Sequence, residues 1–273
     1  MLTRREKLHK KLKTLRRALR PRRGPAVPVL ILGEMRSGTN MLADCFDNCV
    51  SADVYHESDD DAFVGYELRD LATIRRLIAD SNGTHAVFKP IADSNRALEL
   101  LEALPGTRVI WIYRRYQDAV NSALEKWTEH REYLRLILEE PAKARWRAVG
   151  LNADDLALIR KHYTRELTDP SARALIWYIR GRCYFAQKLE QRRDVMLINY
   201  EELVTNPRQH LRAAFDFVAL PFQDSYYEHV ATSSIRKRPD PQIAAEIAAL
   251  CEELTQQFNA TLRRPVAAAQ GAR

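Results

Sequence analysis

The sequence is 273 residues long, 46% hydrophobic and 29% charged, an ordinary composition for a soluble enzyme of one globular domain. No apolar run reaches the ~18 residues of a membrane span and no apolar signal core follows the charged N-terminus, which excludes an integral membrane protein and reads as cytoplasmic. The net charge of +7 is lodged in the first 24 residues, where 11 Lys or Arg face one acid; the rest carries 32 basic against 35 acidic residues, which excludes nucleic-acid binding by bulk charge.

In chain order, residues 1–26 form a basic extension. Leu8, Leu12, Leu15 and Leu19 recur there at helical spacing, a stripe suited to peripheral contact with an acidic membrane, or simply a solvated arm. Residues 27–32 are a continuous apolar run ending at Gly33, the pattern of a strand buried on both faces. A helix follows over 41–50. Further strands are expected at 52–56, 85–90, 108–114 and 195–200, with helices over 67–80 and 95–104 between the first of them. Strands separated by helices of this length pair in parallel through right-handed crossovers, so the fold class is α/β with a three-layer parallel sheet.

From 116 to 190 the pattern turns helical, broken at Pro141, Gly150 and Pro170, before the last strand. This block, centred on about 128–190, reads as a helical insertion capping the active site at the strand ends. Its aromatics Trp127, Trp146, Tyr163, Trp177 and Tyr178 suit either a core or a stacking surface. A final helix is expected over 241–258, and 261–273 reads as a frayed tail. The cysteines Cys45, Cys49, Cys183 and Cys251 make no C-x-x-C pair, which argues against a disulfide framework or a zinc site.

The first strand runs into "GEMRSGTN". Gly33 and Gly38 have Walker A spacing, but Thr39 stands where the lysine belongs and Asn40 where the magnesium-binding hydroxyl belongs. What survives is a turn whose backbone N–H groups curl around an anion at a helix N-terminus, with Arg36, Ser37 and Thr39 adding charge and donors. Arg114, at the end of the 108–114 strand, and Ser122, in the following helix, can converge on one phosphate.

These stretches resemble the sulfotransferases that use 3′-phosphoadenosine 5′-phosphosulfate (PAPS). "RSGTNML" is similar to their 5′-phosphosulfate loop, "VIWIYRRYQDAVNSAL" to their 3′-phosphate segment, and "VMLINYEELVTNPRQHLRAAFDFVALPF" to a late strand-helix segment in which Tyr200, Glu201 and Leu203 are read as structural. The 3′-phosphate segment departs from the family pattern where Arg115 and Tyr116 replace its usual D-P, and it carries Asp118 in the intervening acidic place.

The resemblance, covering about residues 29–222, implies a P-loop-NTPase-like topology over 27–260 and sulfuryl transfer from PAPS as co-substrate to an acceptor hydroxyl, with no metal required. It implies donor contacts from Arg36, Ser37, Gly38, Thr39, Asn40, Arg114 and Ser122, and a basic loop with Ser233, Ser234, Arg236 and Lys237 returning over the nucleotide. It implies Glu57 as general base, with His56 as the alternative, and Lys89 with Arg36 stabilising the departing phosphate. A carbohydrate or glycolipid is the expected acceptor. A P-loop nucleotide kinase and a membrane-recruited noncatalytic nucleotide-binding protein are the rival readings.

Overall fold

The computed structural model describes residues 24–263. The basic extension up to residue 23 and the tail from 264 lie outside the described residues, so the leucine stripe of the extension does too; of the expected frayed tail, 261–263 are helical. Five parallel strands, β1 Val27–Gly33, β2 Ala52–Tyr55, β5 His85–Phe88, β6 Arg108–Tyr113 and β7 Val195–Asn199, form one sheet in the order β2-β5-β1-β6-β7. The α/β class, the parallel sheet and its P-loop-NTPase-like topology agree with the sequence reading.

Strand alternation explains the three layers. In β1, Leu30 and Leu32 join the core on one face while Val29 and Ile31 join the core on the other; in β6, Val109 and Trp111 face the first side and Ile110 and Ile112 the second. Both faces are therefore dry, and each of these fully buried side chains contributes on the order of 1.5–3 kcal/mol. Helices α1 (Thr39–Asp47) and α10 (Pro207–Phe217) cover the second face, where Phe46 and Phe215 stack with centroids 4.5 Å apart. The first face is covered by α3 (Ala97–Ala103), α8 (Asp169–Ala186) and α11 (Ala245–Arg263).

Two helices depart most from expectation. The helix expected over 67–80 begins only at Leu71, as α2 (Leu71–Asp80), where the Asp70 carboxylate caps it by accepting from the Thr73 N–H. Residues Glu67–Leu68 instead form β4, pairing antiparallel with β3 (Phe63–Val64) in a hairpin turned by Gly65 and Tyr66, both at positive φ. The last helix starts at Ala245 rather than 241 and runs on to Arg263.

Between β6 and β7 lie α4 (Tyr116–Leu124), α5 (His130–Glu139), α6 (Pro141–Ala144), a 3-10 turn (Arg145–Arg147), α7 (Ala153–His162) and α8. Pro141 and Pro170 occupy first-turn positions of α6 and α8, where a missing N–H costs nothing. From β1 the chain leaves towards β2, and from β6 towards β7, on opposite sides of the sheet. The crevice outside the C-terminal ends of β1 and β6 is thus the topological switch point, the place where open α/β sheets bind ligands. Among the described residues no helix is long and apolar enough to cross a membrane.

Candidate active site

The loop after β1 is shaped by backbone more than by side chains. Gly33 lies in register with Ile112 of β6, and a Cβ there would sit 2.2 Å from the Ile112 carbonyl oxygen. Gly38, at φ +92°, precedes α1 without a side-chain cap, and Arg36 also holds a positive φ of 71°. Successive N–H groups in such a left-handed turn form a nest, and the uncapped first N–H groups of α1 point the same way. The Ser37 side chain is fully buried under this loop, and its hydroxyl has no hydrogen-bond partner.

Arg114, at the end of β6, closes over the same loop. Its Nη1 donates to the Arg36 carbonyl at 3.1 Å and its Nη2 to the Ser234 carbonyl at 2.6 Å, while its buried Nε has no hydrogen-bond partner. Arg36 Nε donates to Ser122 Oγ at 2.9 Å. The two segments read from the sequence as ends of one anion site are therefore in contact, and Gly38, Thr39, Asn40, Arg114, Ser122 and Ser234 line one cleft of about 640 Å³. Burial first, then the charge of Arg114, lowers the Arg36 pKa, a crowding of cations that a bound anion would relieve.

Tyr200, which sequence reasoning treated as structural only, forms the floor between the two segments. Its ring lies 2.2 Å from where a Gly38 Cβ would stand, Arg114 stacks over it at 4.7 Å, and its hydroxyl is 2.6 Å from Ser234 Oγ. Glu201 accepts from the Arg115 backbone N–H at 3.1 Å and stands 4.0 Å from Arg114 Nε, with burial raising its pKa. Of the returning loop, only Ser234 reaches the cleft: Arg236 and Lys237 are exposed and do not line it, and the Arg236 backbone N–H donates to Asp118 at 3.1 Å.

On the opposite wall, Lys89 follows β5 and is 2% exposed; its ammonium donates to Glu57 Oε2, and both residues line the cleft. His56 does not line it; its Nε2 lies 3.9 Å from Asp44 Oδ1. A second buried pair ties the loop to the helical block. Glu34 accepts from Arg173 Nη2 of α8 at 2.6 Å, and its other oxygen is 3.8 Å from Arg180 Nε. Arg173 also donates to the Met35 carbonyl at 3.2 Å, so α8 holds the loop from behind.

No protein-family model and no curated protein matches the sequence. Solved structures do match it. The sulfotransferase domain from the curacin biosynthetic pathway is 16% identical, with a TM-score of 0.53 over 86% of this chain and 99% of that one. The sulfotransferase from Alicyclobacillus acidocaldarius is 18% identical, with a TM-score of 0.51 over 87% and 96%. Sulfotransferase STF9 from Mycobacterium avium is 13% identical, with a TM-score of 0.50 over 94% and 82%. The chain has the sulfotransferase fold, a P-loop-NTPase-like α/β fold, and its cleft lies at that fold's switch point.

Proposed function

We propose that the protein is a PAPS-dependent sulfotransferase acting on an acceptor hydroxyl. The observation that carries the reading is the meeting of two cationic, donor-rich segments in one cleft, where the buried Arg114 Nε makes no hydrogen bond. A doubly phosphorylated nucleotide fits that donor set, since buried polar groups left unpaired call for a partner. The cosubstrate would supply the sulfuryl group.

The chain's residues then divide the work. The N–H groups of the loop, with Arg36, Thr39 and Asn40, hold the 5′ end, while the Ser37 side chain, expected from the sequence to join them, is buried beneath the loop and does not line the cleft; Arg114, Ser122 and Ser234 hold the 3′-phosphate. Glu57 takes the acceptor proton: Lys89 engages Oε2, leaving Oε1 for the hydroxyl. As the acceptor O–S bond forms and the donor S–O bond breaks, Lys89 and Arg36 neutralise charge on the departing phosphate. His56, directed towards Asp44, is the weaker base candidate. Of the acceptor classes expected from the sequence, the apolar wall of Leu136, Trp146 and Ile176 favours a compound with lipid or aromatic surface over a bare carbohydrate.

Calorimetry with adenosine 3′,5′-bisphosphate, paired with turnover of radiolabelled donor, tests this. The wild type binds the bisphosphate; Arg114→Ala weakens it by roughly 10- to 100-fold, the scale of charged hydrogen bonds; Glu57→Gln keeps affinity and loses turnover. A wild type that ignores the bisphosphate, or a fully active Glu57→Gln, overturns the assignment.

A further inference from the structure

The half of the cleft away from the phosphate loop is walled by the helical block, and its polar groups are unmatched. Helix α5 presents His130, Tyr133 and Leu136 at steps of three, one face of the helix, to the cleft. His130 is 5% exposed and its buried Nε2 has no hydrogen-bond partner. The Tyr133 hydroxyl is also buried without a partner, and burial pushes its pKa up to about 12, so it stays a neutral donor. Unsatisfied groups of this kind are uncommon in a native interior, and two on one helix face beside a cavity point to a ligand.

Charge adds a third feature. Four arginines line the cleft: Arg36, Arg114, Arg147 and Arg173. Arg36 is bonded to Ser122, Arg114 to two carbonyls, and Arg173 to Glu34. Arg147 lies against two aromatic rings, 4.6 Å from Trp146 and 5.0 Å from Tyr133, and no carboxylate among the described residues pairs with it. Of the block's cleft-lining carboxylates, Glu132 is bound by Arg135 at 2.7 Å, and Glu129 forms no ion pair with Arg147. A guanidinium resting against two rings has less freedom left to lose, and its planar fork matches a carboxylate or phosphate.

We propose that this chamber binds the acceptor and selects a hydroxyl compound with an apolar body and an anionic group, Arg147 contacting the anion and His130 Nε2 and Tyr133 Oη the remaining polar atoms. This rests on the sulfotransferase reading. Leu136, Trp146 and Ile176 take the apolar body. Tyr66, 62% exposed at the tip of the β3-β4 hairpin and also lining the cleft, forms its outer edge, with Arg145 packed against Gly65 and bonded to Glu67 at 2.7 Å.

The test titrates three matched probes, 4-hydroxyphenylacetate, (4-hydroxyphenyl)methylphosphonate and methyl 4-hydroxyphenylacetate, into protein saturated with adenosine 3′,5′-bisphosphate. At least one charged probe binds wild type roughly 10-fold or more tighter than the ester; Arg147→Gln erases the difference, and Arg147→Lys retains part of it. The better charged probe identifies the anion as carboxylate or phosphate. Equal binding of all three, or an undiminished charge preference in Arg147→Gln, overturns the proposal. The bisphosphate affinity of each variant is measured in parallel as the check on folding. Should the bisphosphate fail to bind wild type, the donor reading falls, and the same titrations run without it still decide the chamber's preference.

Discussion

Replacing Glu34 by Gln isolates the charge that binds the loop after β1 to α8. Glu34, Arg173 and Arg180 are each 2–4% exposed, so one carboxylate balances two guanidiniums in a nearly dry setting. At 2.6 Å, and with an effective dielectric of about 20, the attraction of one pair is roughly 6 kcal/mol before desolvation is subtracted. Removing one partner of a buried pair costs about 3–5 kcal/mol, because the stranded charge keeps its desolvation penalty. Gln retains an acceptor for Arg173, which sets the expected loss near 3 kcal/mol. Urea denaturation reads that loss directly, and calorimetry should show weakened bisphosphate binding, since the loop loses its rear anchor. A Glu34→Gln protein within 1 kcal/mol of wild type, with unchanged affinity, would refute the coupling of loop and helical block.

Gly38→Ala forces a side chain onto a φ of +92° and against the Tyr200 ring, so it should lower bisphosphate affinity by roughly 10-fold or more with a modest stability loss of about 1–2 kcal/mol; unchanged affinity by calorimetry counts against the Tyr200 floor. Stability should also fall on acidification. His85, His130 and His162 have pKa values lowered from 6.5, chiefly by burial, so the unfolded chain binds protons first and stability is lost as pH drops below about 6.5 through the folded values. Denaturation midpoints at pH 7.5 and 5.5 check the sign, and His85→Gln should flatten part of the slope.

The parallel sheet was legible because strands dry on both faces read as unbroken apolar runs, as at residues 27–32 and 108–113. The tight loop after β1 was legible because Gly33 and Gly38 mark backbone that a Cβ would obstruct. The β3-β4 hairpin escaped: its strands are two residues long, and Glu67–Leu68 run directly into a helical period, so periodicity extended the helix backwards. The contacts of Glu34 with Arg173 and Arg180 join residues some 140 positions apart, and no local pattern announces them. The His130 and Tyr133 face carried a usable signal, a polar pair at helical spacing in front of Leu136, overlooked because aromatics at that spacing usually serve a core. That Glu57 lines the cleft while His56 does not depends on the direction each side chain takes from the end of β2, which adjacent positions in a sequence do not reveal.

Because α8 both buttresses the loop after β1 and contributes Ile176 to the cleft wall, the helical block is not an exchangeable module. A chimera that grafts a foreign block between β6 and β7 must reproduce guanidiniums at positions 173 and 180, or accept a carboxylate stranded beneath the cleft.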